Sequence, residues 1–227
     1  MKKFILYFAC ITFQIVANGN VFAQKVISEG KLVYEITFPD MELDSKMAAM
    51  LPTESVVYFN EKFSRTESSM GMGMSSAAIV DKKTGHTTTL MDMMGTKSAI
   101  VTTDEMLADA KKKSELEKVQ VTVTDEVKEI AGYTCKKAIL NDGSGTSFEV
   151  YFTDKISSYA QMSTEWKDLN GCPLEFSIDQ AGMKMRLVAK SVTAEKVSED
   201  LFKIPADYKI MSQEEMMQMF GGESKGE

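Results

Sequence analysis

Methionine is the residue whose number and spacing invite a chemical reading. The 227-residue chain holds 18 of them. They fall in tight groups: Met70-Gly71-Met72-Gly73-Met74, Met91-Asp92-Met93-Met94, Met183-Lys184-Met185 and Met216-Met217-Gln218-Met219. A thioether can fill gaps in a core, repack around apolar ligands of differing shape, or present soft sulfur to a soft cation such as Cu(I) or Ag(I). On a regular strand, alternate residues share a face ~6.5–7 Å apart. Met70, Met72 and Met74, with Met91, Met93 and Met94, therefore form the candidate soft-metal set. If that strand runs unbroken from Lys62, its Met70 face also carries Ser64, Thr66 and Ser68, so a bulge near Ser69 or partial exposure is expected.

The rest of the chemical inventory is thin. The single His, His86, stands beside Gly85 at a turn, away from the thioethers. The chain has no G-x-S-x-G, H-E-x-x-H, C-x-x-C or P-loop pattern, and no spacing singles out a carboxylate pair. No enzyme and no cofactor is expected. Arg65 shares a strand face with Phe63 and Glu67; it reads as a partner of Glu67, with an anchor for a ligand carboxylate or phosphate as the functional alternative. With 26 Lys+Arg against 33 Asp+Glu, a formal charge of −7, the chain offers no basic surface for nucleic acid or anionic membranes.

Residues 1–23 read as an export signal. Lys2 and Lys3 form a positive n-region, Phe4 to Ala17 is mostly apolar, and Val21-Phe22-Ala23 suits cleavage after Ala23. As a helix the apolar stretch would span only ~21 Å, short of the ~30 Å hydrocarbon core. Cys10, preceded by Tyr7-Phe8-Ala9, is a poor lipidation site. The expectation is a periplasmic protein without a lipid anchor. Cys135 and Cys172 remain after cleavage. In an oxidising compartment two cysteines suggest a bridge, but if strands over 133–140, 146–152 and 174–179 form a meander, a strand separates them. Their Cα atoms would then lie roughly 9–10 Å apart, beyond the ~7 Å reach of a disulfide.

The elements that must position these residues are mostly strands. Period-two alternation runs through Leu32, Tyr34, Ile36, Phe38; Val119, Val121, Val123; Phe148, Val150, Phe152; Leu174, Phe176, Ile178; and Met183, Met185, Leu187, Ala189. Further strands are expected over 55–60, 62–70, 76–81, 86–93 and 97–102, with turns at Asn60-Glu61, Thr84-Gly85, Asn141-Asp142-Gly143 and Asn170-Gly171. Helical spacing occurs over 41–51, with Leu43, Met47, Met50 and Leu51 on one stripe; over 104–113, with Asp104 as cap; and over 212–220, opened by a Ser212/Glu215 capping box.

The fold class that follows is mainly β with some α (α+β): a strongly curved antiparallel sheet, an open half-barrel, with two or three short helices on its concave face. One domain covers 24–211, a C-terminal helix 212–220 and a disordered tail 221–227. Helix methionines facing that concavity would line an apolar cavity, with Met47, Met50, Met183, Met185, Met216 and Phe220 as its candidate ligand-binding residues.

Three segments carry a family resemblance: Ile130-Ala131-Gly132-Tyr133-Thr134-Cys135-Lys136-Lys137, Asn170-Gly171-Cys172-Pro173-Leu174-Glu175, and Leu201 to Lys209 with its Phe202-x-x-Pro205-x-x-Tyr208 core. Together with Thr87 to Gly95 they resemble the exported bacterial family known as domain of unknown function 4412. The closing Phe-x-x-Pro-x-x-Tyr element is similar to the end of outer-membrane lipoprotein carrier (LolA-type) folds. That resemblance implies a half-barrel with helices over its concave face and points to lipid or lipoprotein handling. The expected partner is a hydrophobic small molecule or lipid, with an envelope protein as a second possibility and no nucleic acid. A Cu(I)/Ag(I) binder and a ligand-free structural envelope protein are the alternatives.

Overall fold

The computed structural model describes residues 26–42, 44–116, 119–141, 147–157, 169–180, 183–212 and 215; side chains at 110, 111, 113–116 and 180 fall outside that description. The export signal, Leu43, Met216, Phe220 and the tail 221–227 lie outside the described residues.

Strand alternation yields β1 (Gly30–Thr37), β2 (Glu54–Phe59), β3 (Phe63–Met70), β4 (Met74–Asp81), β5 (Thr87–Met93), β6 (Thr96–Val101), β7 (Gln120–Ile130), β8 (Tyr133–Asn141), β9 (Ser147–Thr153), β10 (Cys172–Gln180), β11 (Met183–Ala194) and β12 (Lys209–Met211). They join in one 12-stranded sheet in the order β12-β6-β5-β4-β3-β2-β1-β11-β10-β9-β8-β7. Every pairing is antiparallel except β12 with β6, a three-residue parallel strand that alternation in the sequence does not reveal. The sheet curves strongly without closing, so that β7 comes back within contact of β11.

Among the described residues, two α-helices accompany it. The stripe over 41–51 yields only α1 (Ser45–Ala48), one turn capped by Asp44, whose Oδ1 accepts the Met47 N–H at 2.7 Å. Pro52 follows closely, and none of its residues is buried, so nothing extends it. The second helix, α2 (Asp104–Leu116), is capped by Thr103 rather than Asp104: the Thr103 Oγ1 accepts from Met106 N at 3.3 Å, while the Asp104 carboxylate meets His86 Nε2 at 3.0 Å. The Ser212/Glu215 capping box is present, with reciprocal bonds of 2.8 and 3.1 Å; the helix expected beyond it lies outside the described residues.

Both faces of the sheet are covered, where alternation alone suggests one. Inside the curl, Leu32, Tyr34, Val57, Phe59, Leu140, Val150, Leu174, Phe176 and Leu187 form the principal core. On the convex side of β3–β6, Ala77, Ile79, Leu90 and Ala99 are roofed by the segment after β11, through Val197, Leu201, Phe202, Ile204 and Tyr208. The Phe-x-x-Pro-x-x-Tyr element is this clamp. Phe202 stacks on Phe63 with ring centroids 5.4 Å apart, the Lys97 ammonium lies over the Tyr208 ring, and Lys97 pairs with Asp207 at 2.7 Å.

Candidate functional site

The methionine groups are placed by turns rather than by one strand. Met70 ends β3, Met74 begins β4, and the chain reverses between them through Gly71-Met72-Gly73, with Met72 in the left-handed region at φ 64°. The expected strand through Met70, Met72 and Met74, with a bulge near Ser69, is therefore replaced by a hairpin. Gly73, at φ 73°, takes the same left-handed region, which glycine adopts without strain, and completes the turn into β4.

The hairpin produces a different alignment. Met70 stands opposite Met74, and Met74 opposite Met93 at the end of β5. Directly opposed residues of antiparallel strands share a face with Cα atoms ~4.5–5.5 Å apart, so three thioethers form a row across three strands. Met91, two residues back from Met93, points the same way and stands opposite Ser76 and Ser98. Met72 and Met94 occupy the two neighbouring turn tips at 65% and 71% exposure. The segment after α1 lies against this hairpin so closely that a Cβ on Gly71 would sit 1.8 Å from the Ala49 carbonyl oxygen. Met47 and Met50, 45% and 42% exposed, thus join the same end of the molecule instead of lining an interior.

Met183 and Met185 open β11 at that same end of the sheet, since β11 begins where β1 finishes, beside the start of β2 and the end of β3. Both are half-buried, and Met185 packs against the principal core with Phe38 and Ile178. The structure therefore gathers most of the two candidate sets at one rim, and the positions Met216 and Phe220 lie outside the described residues.

From this rim a strip runs along the concave face of β3–β6. Its residues are Ser64, Thr66 and Ser68; Ser76, Ala78 and Val80; Thr87 and Thr89; Ser98 and Ile100, set by the same cross-strand register that places Leu90 and Ile79 on the convex side. It adjoins β2, whose Ser55, Val57 and Phe59 belong to the inner face. The β4 stretch from Met74 to Lys82 gives the strip a length of ~26 Å. At its far end Lys82 extends the ladder by one step, its N–H donating to Lys62 O at 2.9 Å.

Across the curl from Lys82 lies a buried polar group that no sequence pattern singles out. The Tyr34 hydroxyl donates to Pro173 O at 2.7 Å and lies 3.8 Å from Cys172 Sγ. Burial raises the phenol well above its ordinary value. Cys135 and Cys172 are both free and buried, on β8 and β10 with β9 between them, as the meander requires. Burial pushes each thiol up to about 12, so neither is a thiolate nucleophile near neutrality. Burial lowers the Lys82 ammonium to about 8, against a smaller opposing influence of Cys172.

Arg65 takes its structural reading. It bonds Glu67 at 2.5 Å and Leu201 O at 2.8 Å beneath the convex clamp. Among the described residues, no group of three or more His, Cys, Asp or Glu could hold a metal ion.

A family model described as Domain of unknown function (DUF4412) matches residues 29–208. Comparison with curated proteins finds no match. Among solved structures, PNGF-II is similar in two crystal forms, with TM-scores of 0.50 and 0.51 and identities of 16% and 15%. The alignments cover 82% of this chain and 31% and 32% of PNGF-II, so the chain spans about a third of that protein's length. An uncharacterized conserved protein from Thermus thermophilus is similar with a TM-score of 0.50 at 10% identity, covering 82% of this chain and 91% of that one. At such identities the likeness is one of fold.

Proposed function

The chain belongs to the family of the Domain of unknown function DUF4412, and from that premise we propose that it is an exported, periplasmic, cofactor-free binding protein for a hydrophobic moiety such as an acyl chain, and not an enzyme. One observation carries the reading: the concave face changes, within one sheet, from large interlocking side chains on β1, β2 and β8–β11 to serines, threonines, Ala78 and methionines on β3–β6, with Val80 and Ile100 among them. A face of that kind leaves room that a flexible apolar chain can occupy, and methionines at its rim adapt to the chain's shape. Native mass spectrometry of the protein purified from its own periplasm tests this. A co-purifying lipid mass supports the reading; a bare polypeptide that also fails to take up a fluorescent acyl probe ends it.

The register of Met70, Met74 and Met93 favours a second reading, a Cu(I) or Ag(I) site, because opposed thioethers on adjacent strands can converge on one soft ion. Titration with Ag(I) should shift the methyl resonances of these three methionines together. Ag(I) that shifts only the exposed Met72 and Met94 would leave the row without a metal role.

A further inference from the structure

Lys82 stands apart from the other cations of its surroundings. It lines a notch of about 350 Å³ between the β2–β3 and β4–β5 turns, with Glu61, Lys62, Phe63, Asp81 and Lys83. Each charge there that is held has a visible partner. Lys62 pairs with Glu199 at 3.1 Å, out on the convex side. The Asp81 carboxylate accepts the N–H groups of Lys83 and Thr84 at 2.8 and 3.0 Å. Lys83 and Glu61 are exposed to water. Lys82 is half-buried, and among the described residues no carboxylate pairs with it. Its backbone continues the β3–β4 ladder, so its side chain falls on the face of Val80 and Ala78, which is the concave one. There burial is the main influence on its ammonium, with the fully buried Cys172 a smaller and opposing one.

An ammonium drawn from water without a counter-ion is unfavourable, and a perturbed lysine in a cleft is a candidate for binding an external anion. Its position is the informative part. The methionine row lies at one end of the concave strip and Lys82 at the other, ~26 Å away along β4. Resting on the hydrophobic-ligand reading, we propose that the ligand is an anionic amphiphile whose carboxylate or phosphate head pairs with Lys82 while its apolar tail runs along the β3–β6 strip toward Met74 and Met93. The strip then has a polarity: a single recessed charge selects the head, and thioethers receive the tail. An acidic chain without a basic surface can bind such a molecule because one recessed ammonium suffices.

Three twelve-carbon probes test this at pH 7, by displacement of a fluorescent apolar reporter from the purified exported protein: dodecanoate, dodecyl phosphate and dodecanol. The anions should bind about 10- to 100-fold more tightly than the alcohol, the scale of one hydrogen bond to a charged group. Lys82→Gln should abolish that preference and leave dodecanol unchanged, Lys82→Arg should keep it, and Lys83→Gln should have no effect. Whichever anion binds tighter identifies the head as fatty acid or phosphate ester. Equal binding of all three probes by the unmodified protein overturns the anchor while leaving the strip reading intact, and needs no variant to fold. Loss of the preference in Lys83→Gln overturns it too, by tracing it to surface charge. If none of the probes binds, the hydrophobic-ligand reading itself fails.

Discussion

On the inner face of β1, β2 and β8–β11 stand Leu32, Tyr34, Val57, Phe59, Leu140, Val150, Phe176 and Leu187, nearly all without solvent contact. On the same face of β3–β6 stand serines, threonines, Ala78, Val80 and the methionines, most of them half-buried. The contrast reverses on the outer face. There β3–β6 carry Ile79, Leu90 and Ala99 beneath the Phe202 clamp, while β8–β11 carry a charged network. In it Glu175, nearly buried, pairs with Lys128 and Arg186 at 2.5 Å each. Burial alone would push the Glu175 carboxyl up, but bonds from those two cations outweigh it and hold it below its ordinary value. One half of the sheet thus draws its stability from inside the curl. The other draws it from outside, through the Phe202 clamp.

The largest expected effect tests that division directly. Phe59→Ala, in the fully buried half, should cost about 3–5 kcal/mol in a denaturant titration. Met93→Ala, at the strip's rim, should cost under about 1 kcal/mol yet weaken binding of an apolar probe. Equal losses would erase the distinction between the halves. Gly71→Ala comes next, at about 2 kcal/mol, because the new Cβ collides with the Ala49 carbonyl and must push the α1 segment off the hairpin. Hydrogen exchange should then quicken around Ser45 to Met50 while the β10–β11 amides stay protected.

Lys82→Met should stabilise the protein by about 1–2 kcal/mol at pH 7, a gain reduced by the solvent that still reaches the group. Below pH 8 the lysine is charged in both the folded and unfolded states, so its burial penalty is fully present. Between pH 8 and its ordinary 10.5 the folded protein binds fewer protons than the unfolded chain, so this group's contribution improves as pH rises. Cys135 and Cys172, raised from 9 to about 12, act in the opposite direction above pH 9. The difference between protein and variant therefore isolates Lys82, and should close as pH approaches 10.5. A difference that does not change with pH would place the ammonium in water. A smaller effect is expected of Tyr34→Phe, about 1 kcal/mol, from the Pro173 carbonyl left without its donor in the dry half. Removing a strip hydroxyl by Thr89→Val should cost nothing measurable.

Much of this architecture is legible residue by residue. Leu32, Tyr34 and Ile36 announce a strand by alternation, and Ser212 with Glu215 a cap by spacing, because side-chain periodicity and local hydrogen bonds need no distant partner. The candidate site is legible only in its composition. That Met70, Met74 and Met93 align depends on where two hairpins turn. That the Arg65 guanidinium is already occupied depends on Leu201, 136 residues away in sequence. Lys82 is invisible at this level because nothing in Asp81-Lys82-Lys83-Thr84-Gly85 distinguishes a recessed ammonium from an ordinary turn lysine.

The linear chain by itself determined most of the strands, their amphipathic alternation and the abundance of thioethers, all consequences of local geometry and residue chemistry. Tertiary structure decided which face of each strand would be inside, since alternation defines two faces without saying which one the curl encloses. It also decided that the segment after β11 would cover β3–β6 from outside. The physical reason is that curvature and long-range packing are set by the summed contacts of many strands, which no single window of sequence contains.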